Sequence, residues 1–166
     1  MSELDSIITI DNTLIASIDP GKTGAIICYR KSFGFQKLEV FQFPHVEDFL
    51  DIVSETNKWN FHIFVERQQC SPRQGVGAAF QTGFGYGQIL GWFEAFGIDV
   101  TLVQPKKWMA FLGVKGGQDR KERKQNIEEL VKPFYPEVET RGSRGGLIDG
   151  ISDALGIMHY GAHHVE

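Results

Sequence analysis

Cysteine is nearly missing: Cys28 and Cys70 are the only two in 166 residues, and neither has a metal-type partner at short spacing. That scarcity excludes a disulfide scaffold and a zinc module, and it implies reduced, buried thiols in a cytoplasmic protein. Long apolar runs are missing too, with nothing near the ~18 residues that span a bilayer. The opening MSELDSIITIDN carries acids and no cationic stretch, so no signal peptide is expected. Repeats, linkers and low-complexity tracts are also lacking. The simplest expectation is one domain over residues 1–166, with 1–12 as a flexible extension.

Positive charge is in deficit overall, at a net −4, which by itself argues against a nucleic-acid partner. The distribution argues the other way. Between Lys106 and Lys124 stand Lys106, Lys107, Lys115, Arg120, Lys121, Arg123 and Lys124, against only Asp119 and Glu122. Phosphate responds to a local face rather than to the sum. A solvated helix face with charge pairs four residues apart is the bland alternative.

One stretch, LIASIDPGKTGAII (14–27), poses the main chemical question. Ala16-x-x-x-x-Gly21-Lys22-Thr23 misses the phosphate-binding P-loop pattern by its first glycine. A P-loop must open a helix after Gly-Lys-Thr, whereas GAIICYR holds Gly24 and the β-branched pair Ile26-Ile27. Pro20 also removes an amide from the would-be cradle. The alternative is a hairpin: TLIASI as a buried strand, PGKTG as a turn and AIICYR as the return strand. Asp19 then ends the first strand, as a turn-former or as a catalytic acid.

The rest of the chain continues in alternation. FQKLEVFQF (35–43) reads as a third strand, 46–58 as a helix, and FHIFVE (61–66) as a buried strand ending in Glu66. An apolar helix follows over 76–96, whose Gly83, Gly85, Gly87 and Gly91 suggest close contact with another backbone. DVTLV (99–103) is a short strand, and Pro105 opens the helix PKKWMAFL. DRKERKQNIEELV is a further helix, ETRGSRGG a mobile basic loop, and LIDGISDALGIMHYG (147–161) the final helix. The order β-β-β-α-β-α-β-α-α-α implies a mixed sheet of five strands with helices packed on it.

Two strands end in acids, Asp19 and Glu66, and the final helix offers Asp149 and Asp153, four apart and on one face. Leu147, Ile148, Ile151, Leu155 and Met158 surround that pair with apolar groups, so burying it needs a partner. A set of carboxylates without His or Cys suits Mg²⁺, with Mn²⁺ as a substitute, rather than Zn²⁺. Two such ions about 3.5–4 Å apart clamp a phosphoryl centre for attack by water. For Asp149 and Asp153 a solvated helix face is the competing explanation. His159 and His163 are expected at the surface.

With these residues in place, the chain resembles the RuvC-like Holliday junction resolvases of the RNase H-like superfamily, and in particular the short resolvases of bacteriophages. The resemblance spans Leu14 to Tyr160 and rests on SIDPGKTGAI, IFVERQQ, TGFGYGQILGWFEAFGIDVTLVQPKKWMAFLG and DGISDALGI. It implies an RNase H-like fold in which Asp19 bridges two Mg²⁺ ions, with Glu66 and Asp153 as further ligands. Asp149 is the fourth, one residue off the family's position at Gly150. Lys107 and Lys121 match the family's catalytic cations. The implied DNA contacts are Arg67, Arg73, Lys106, Lys107, Lys115, Arg120, Lys121, Arg123, Lys124, Arg141 and Arg144. Where RuvC has a base-stacking aromatic, Gln69 stands here, which leaves Phe80 or Phe84 for that task.

The implied activity is paired nicking of four-way and other branched DNA by a homodimer, without a nucleotide cofactor and without a membrane. The 76–96 helix, with Trp92 and Phe96, is a candidate dimer face or simply core. Three other classes stay open: an RNase H-like nuclease on RNA–DNA hybrid or single strands, an actin- or sugar-kinase-like ATP binder, and a non-catalytic DNA-binding module. Four acids argue against the last, since carboxylates repel phosphate unless metal lies between.

Overall fold

The computed structural model describes residues 12–70, 74–148 and 150–165. Residues 1–11 of the extension expected at 1–12, Arg73 and Asp149 lie outside the described residues. Five strands form one sheet in the order β3-β2-β1-β4-β5. They are β1 (Thr13–Asp19), β2 (Ala25–Ser32), β3 (Phe35–Gln42), β4 (Asn60–Glu66) and β5 (Val100–Val103). The first three pair antiparallel as a meander, whereas β4 runs parallel to β1, and β5 parallel to β4. Among the described residues there are five helices: α1 (Glu47–Ser54), α2 (Val76–Phe96), α3 (Pro105–Leu112), α4 (Arg120–Val131) and α5 (Ile151–Ala162). Element order and mixed sheet are those read from the sequence.

The period-two alternation of β1 sorts its side chains to two faces. Leu14, Ala16 and Ile18 point one way, joining Ile26, Cys28, Ile63 and Val65 from neighbouring strands against α1 and α2. Ile15, in step with Ser17 and Asp19, points the other way with Ile27, Tyr29 and Phe64 against α3, α4 and α5. Each core is apolar and buried on the strand side. At about 25 cal/mol per Å² of apolar surface, these two layers are the main source of stability.

Helix α5 lies unusually close to the sheet. A Cβ at Gly156 would come within 2.6 Å of the Trp108 ring, and one at Gly161 within 2.6 Å of Phe64. Ser17 Oγ donates to the Ala154 carbonyl at 2.7 Å across this interface. The two glycines let the helix backbone approach where any larger residue would hold it off.

Several expectations need correction. The final helix begins at Ile151, not Leu147; Ile148 bonds Thr140, and Leu147 bridges Arg141 in an extended hairpin. Helical spacing therefore no longer joins Asp149 to Asp153. Helix α1 stops at Ser54 because Thr56 and Lys58 turn back onto Ser54 and Glu55 carbonyls. The α2 glycines press on no described neighbour: a Cβ at Gly83, Gly85, Gly87 or Gly91 would meet nothing within 4 Å. Cys70 is exposed while Cys28 is buried. His159 is buried, stacked on Phe134 at 4.4 Å, because α5 turns that side toward the chain after α4. The ETRGSRGG stretch is a tight hairpin, closed by Gly142–Gly146 and Gly145–Gly142 backbone bonds.

Candidate active site

Parallel pairing of β1 with β4 sets Ile18 beside Val65, so the next residues, Asp19 and Glu66, end adjacent strands. Both have the parity of the α5-facing residues, and both sit at the carboxyl edge where open α/β sheets gather ligands. Asp153 arrives from the first turn of α5, where the helix dipole favours a negative charge. Three acids from three elements thus share one corner, and each influences another's charge.

The electrostatics are unfavourable as they stand. Burial, then the charges of Asp153 and Glu66, push the Asp19 carboxyl from 3.8 to about 7, although the Gly21 amide donates to it at 3.2 Å. Burial also raises Glu66, opposed by hydrogen bonds from Trp108 Nε1 at 3.0 Å and Gln68 Nε2 at 3.2 Å. Lys124 eases Asp19 and Arg123 eases Glu66. A carboxyl pushed to about 7 by burial and then by two nearby acids marks a site short of positive charge. The donor set, all carboxylate oxygen, fits a hard divalent cation. Among the described residues no three such groups already stand at metal-holding separation.

Backbone contact fixes the corner. Gly150 caps α5 with φ 81°, and a Cβ there would fall 2.5 Å from Gly24 Cα. Gly24 in turn packs on the Asp19 carbonyl, which a Cβ would approach to 2.0 Å. The PGKTG turn is thus a seat for the α5 N-terminus. It is not followed by a helix: Ala25 begins β2. The P-loop alternative fails on that point.

The predicted cations distribute unevenly. Lys121, Arg120 and Lys124 line a groove of about 580 Å³ beside Gly145 and Gly146. Lys124 also borders a small crevice shared with Asp153 and Gly150, so this groove opens toward the acids. Arg141 reaches the same groove, but its guanidinium is committed to Glu128 at 2.7 and 3.0 Å and to the Gly145 carbonyl. Lys106, Lys107, Lys115, Arg67 and Arg144 are exposed, and Lys107 makes no described contact with the acids. Helix α4 presents its cations on a rigid frame, since Asp119 and Glu122 close a capping box at its start. Missed in the sequence were Trp108 and Gln68, which orient Glu66. The signal for Trp108 was its place in QPKKW, three residues after the helix-opening proline and thus on the α3 face shared with Leu112.

The mixed five-stranded sheet with flanking helices is a fold shared with solved structures of Holliday junction resolvases. Among solved structures the chain is similar to Thermus thermophilus RuvC (TM-score 0.55, 19% identity, 92% of this chain and 93% of that one). It is similar also to T. thermophilus RuvC in complex with a Holliday junction substrate (TM-score 0.54, 20% identity, 92% of each chain). A third is the Fowlpox virus resolvase with its substrate Holliday junction DNA (TM-score 0.52, 14% identity, 93% of this chain and all of that one). No protein-family model and no curated protein sequence matches the chain. No helix of the described residues is long and apolar enough to cross a membrane.

Proposed function

We propose that the protein is a structure-selective endodeoxyribonuclease that cuts four-way and other branched DNA by paired nicks. The observation that carries this reading is the corner where Asp19, Glu66 and Asp153 converge, within a fold otherwise found around junction DNA. Asp19, Glu66 and Asp153, with Asp149 as a fourth, would hold two Mg²⁺ ions, which Mn²⁺ can replace. Such ions supply Lewis-acid polarisation of a phosphate and an acidified water.

The chain's own residues do the rest. Trp108 and Gln68 aim Glu66, and the Gly21 amide aims Asp19. Lys124 and Arg123 temper the negative corner so that a phosphate can enter, and the Arg120–Lys121–Lys124 groove leads the backbone of one DNA arm toward it. Two strands must be cut symmetrically, which calls for a C2 homodimer. The outward side of α2, where Gly83, Gly87 and Gly91 follow one another at four-residue spacing over open space, is the surface we assign to that pairing.

A single gel tests the reading. Four-way, three-way and linear DNA and an RNA–DNA hybrid are incubated with the protein and Mg²⁺. Symmetric nicks in the four-way junction support it. Cleavage confined to the hybrid, or binding without any cleavage, overturns it.

A further inference from the structure

Glu128 is out of character on helix α4. It continues, at helical spacing, the stripe of Lys121 and Lys124 that lines the basic groove. An acid there subtracts from the attraction for phosphate, and Glu128 is buried besides, at 7% exposure. Its hydrogen-bond partners come from one segment, the hairpin that follows α4. Thr140 Oγ1 donates to Glu128 Oε1 at 2.9 Å, and Arg141 donates from Nε to Oε1 at 3.0 Å and from Nη2 to Oε2 at 2.7 Å. These bonds, Arg141's first, hold the Glu128 carboxyl below its ordinary range against its burial. One helical turn on, Lys132 Nζ donates to the Val138 carbonyl at 2.8 Å. The hairpin is closed in turn by Arg141 Nη1 on the Gly145 carbonyl at 3.0 Å and by the Ile148 amide on the Thr140 carbonyl at 2.9 Å.

We infer that Glu128 is a positioning residue: through Thr140 and Arg141 it clasps the 140–148 hairpin to α4, and so sets the width of the basic groove and the entry of the chain into α5. The inference rests on the resolvase reading and deepens it. The groove has the α4 cations on one wall and Gly145, Gly146 and Leu147 on the other, so the clasp at Arg141 sets the gap between them. Leu147 and Ile148 then border the crevice that Lys124 and Asp153 share, and two residues beyond Ile148 the Gly150 cap starts α5. A bidentate arginine–carboxylate pair fixes orientation as well as distance, which a lysine contact does not. A phosphate seated between the two walls is thereby held in one place relative to Asp153. Arg141, implied by the resemblance as a DNA contact, is the hairpin's half of this clasp.

The test uses the whole protein and two variants that differ in charge. Glu128→Gln removes a negative charge beside the groove, whereas Thr140→Val removes one hydroxyl and no charge. On charge alone, Glu128→Gln should bind junction DNA more tightly and cut it at least as well. The clasp demands the opposite for turnover. Single-turnover cleavage at saturating four-way junction should fall about tenfold in Glu128→Gln and less in Thr140→Val, with no weakening of binding in either. The double variant should fall by less than the product of the two, because both act on one contact. Backbone hydrogen exchange should quicken at Gly142, Gly145 and Ile148 in both variants and stay as in wild type across β1 and β4. That pattern separates a loosened hairpin from a destabilised fold. Undiminished single-turnover cleavage by Glu128→Gln overturns the inference, and so does exchange that quickens in the strands as much as in the hairpin. If the wild-type protein cuts no DNA, the resolvase reading has failed on its own, and exchange alone judges the clasp: unchanged hairpin protection in both variants rejects it.

Discussion

The two faces of the sheet are built from the same strands and finished differently. On the α5 face, helices α3, α4 and α5 close over an apolar core, and the approach is so tight that Gly156 and Gly161 are needed. On the other face, α2 buries only Ile89 and Phe93 and leaves Val76, Phe80 and Phe84 in solvent. The three converging acids sit at the edge of the closed face. In the proposed reading, pairing with a second copy falls to the open one.

The sharpest way to break this contrast is to remove the acids of the closed face. Asp19→Asn, Glu66→Gln and Asp153→Asn should each lower single-turnover junction cleavage by roughly three orders of magnitude, the equivalent of several kcal/mol of lost charge stabilisation. Junction binding in a gel shift should survive. Normal cleavage by Asp19→Asn would remove the corner from the mechanism.

Next in size comes the groove that leaves the corner. Charge reversal of Arg120, Lys121, Arg123 and Lys124 should weaken DNA binding, and each lost phosphate contact should flatten the log–log salt slope by about 0.9. Within that set, Lys124→Ala should harm cleavage more than Lys107→Ala, since only Lys124 reaches Asp19 among the two.

Glycine-to-alanine changes compare the faces directly. Gly156→Ala pushes a methyl into the Trp108 ring and should cost about 1–3 kcal/mol in urea unfolding, as overpacked cores do. Gly87→Ala meets open space and should add up to about 1 kcal/mol of helix stability instead. If α2 is the dimer face, the same Gly87→Ala protein should run as a monomer in sedimentation.

The last prediction is a pH dependence. Asp19 is raised in the folded protein to about 7 from an unfolded 3.8, so the fold binds its proton more tightly. Folding is therefore penalised above pH 7, and the penalty disappears as pH falls toward 4. Without divalent ions, thermal stability should rise on acidification by at most about 1.4 kcal/mol per pH unit, and Asp19→Asn should flatten that rise. Protons and divalent ions compete for the same carboxylate, so ion affinity should drop below pH 7.

Element order, the meander and the acid-tipped strands were legible because each is a local pattern. Alternation in TLIASID and NFHIFVE shows which residues share a face, and the terminal acid follows from counting. What lies opposite a face is not local. Nothing near Glu66 names Trp108, 42 residues on, and nothing in DGISD says that Gly150 sits on Gly24. Helix α2 spreads its apolar residues around the whole axis, so periodicity could not tell its buried stripe from its bare one. The start of α5 was missed because Leu147 and Ile148 continue the apolar spacing while pairing with the Thr140–Arg141 stretch.

The bond from Ser17 to Ala154 joins residues 137 positions apart. Asp19 and Glu66 are synthesised early, but Asp153 comes only with α5, whose seat on Gly24 forms after nearly all the rest has been made. A ribosome-bound chain stopped before Gly150 has the strand acids and the basic helix without the third acid between them. Under the proposed function such a chain would lack one acid of the metal corner, so cutting would wait until the last helix is made.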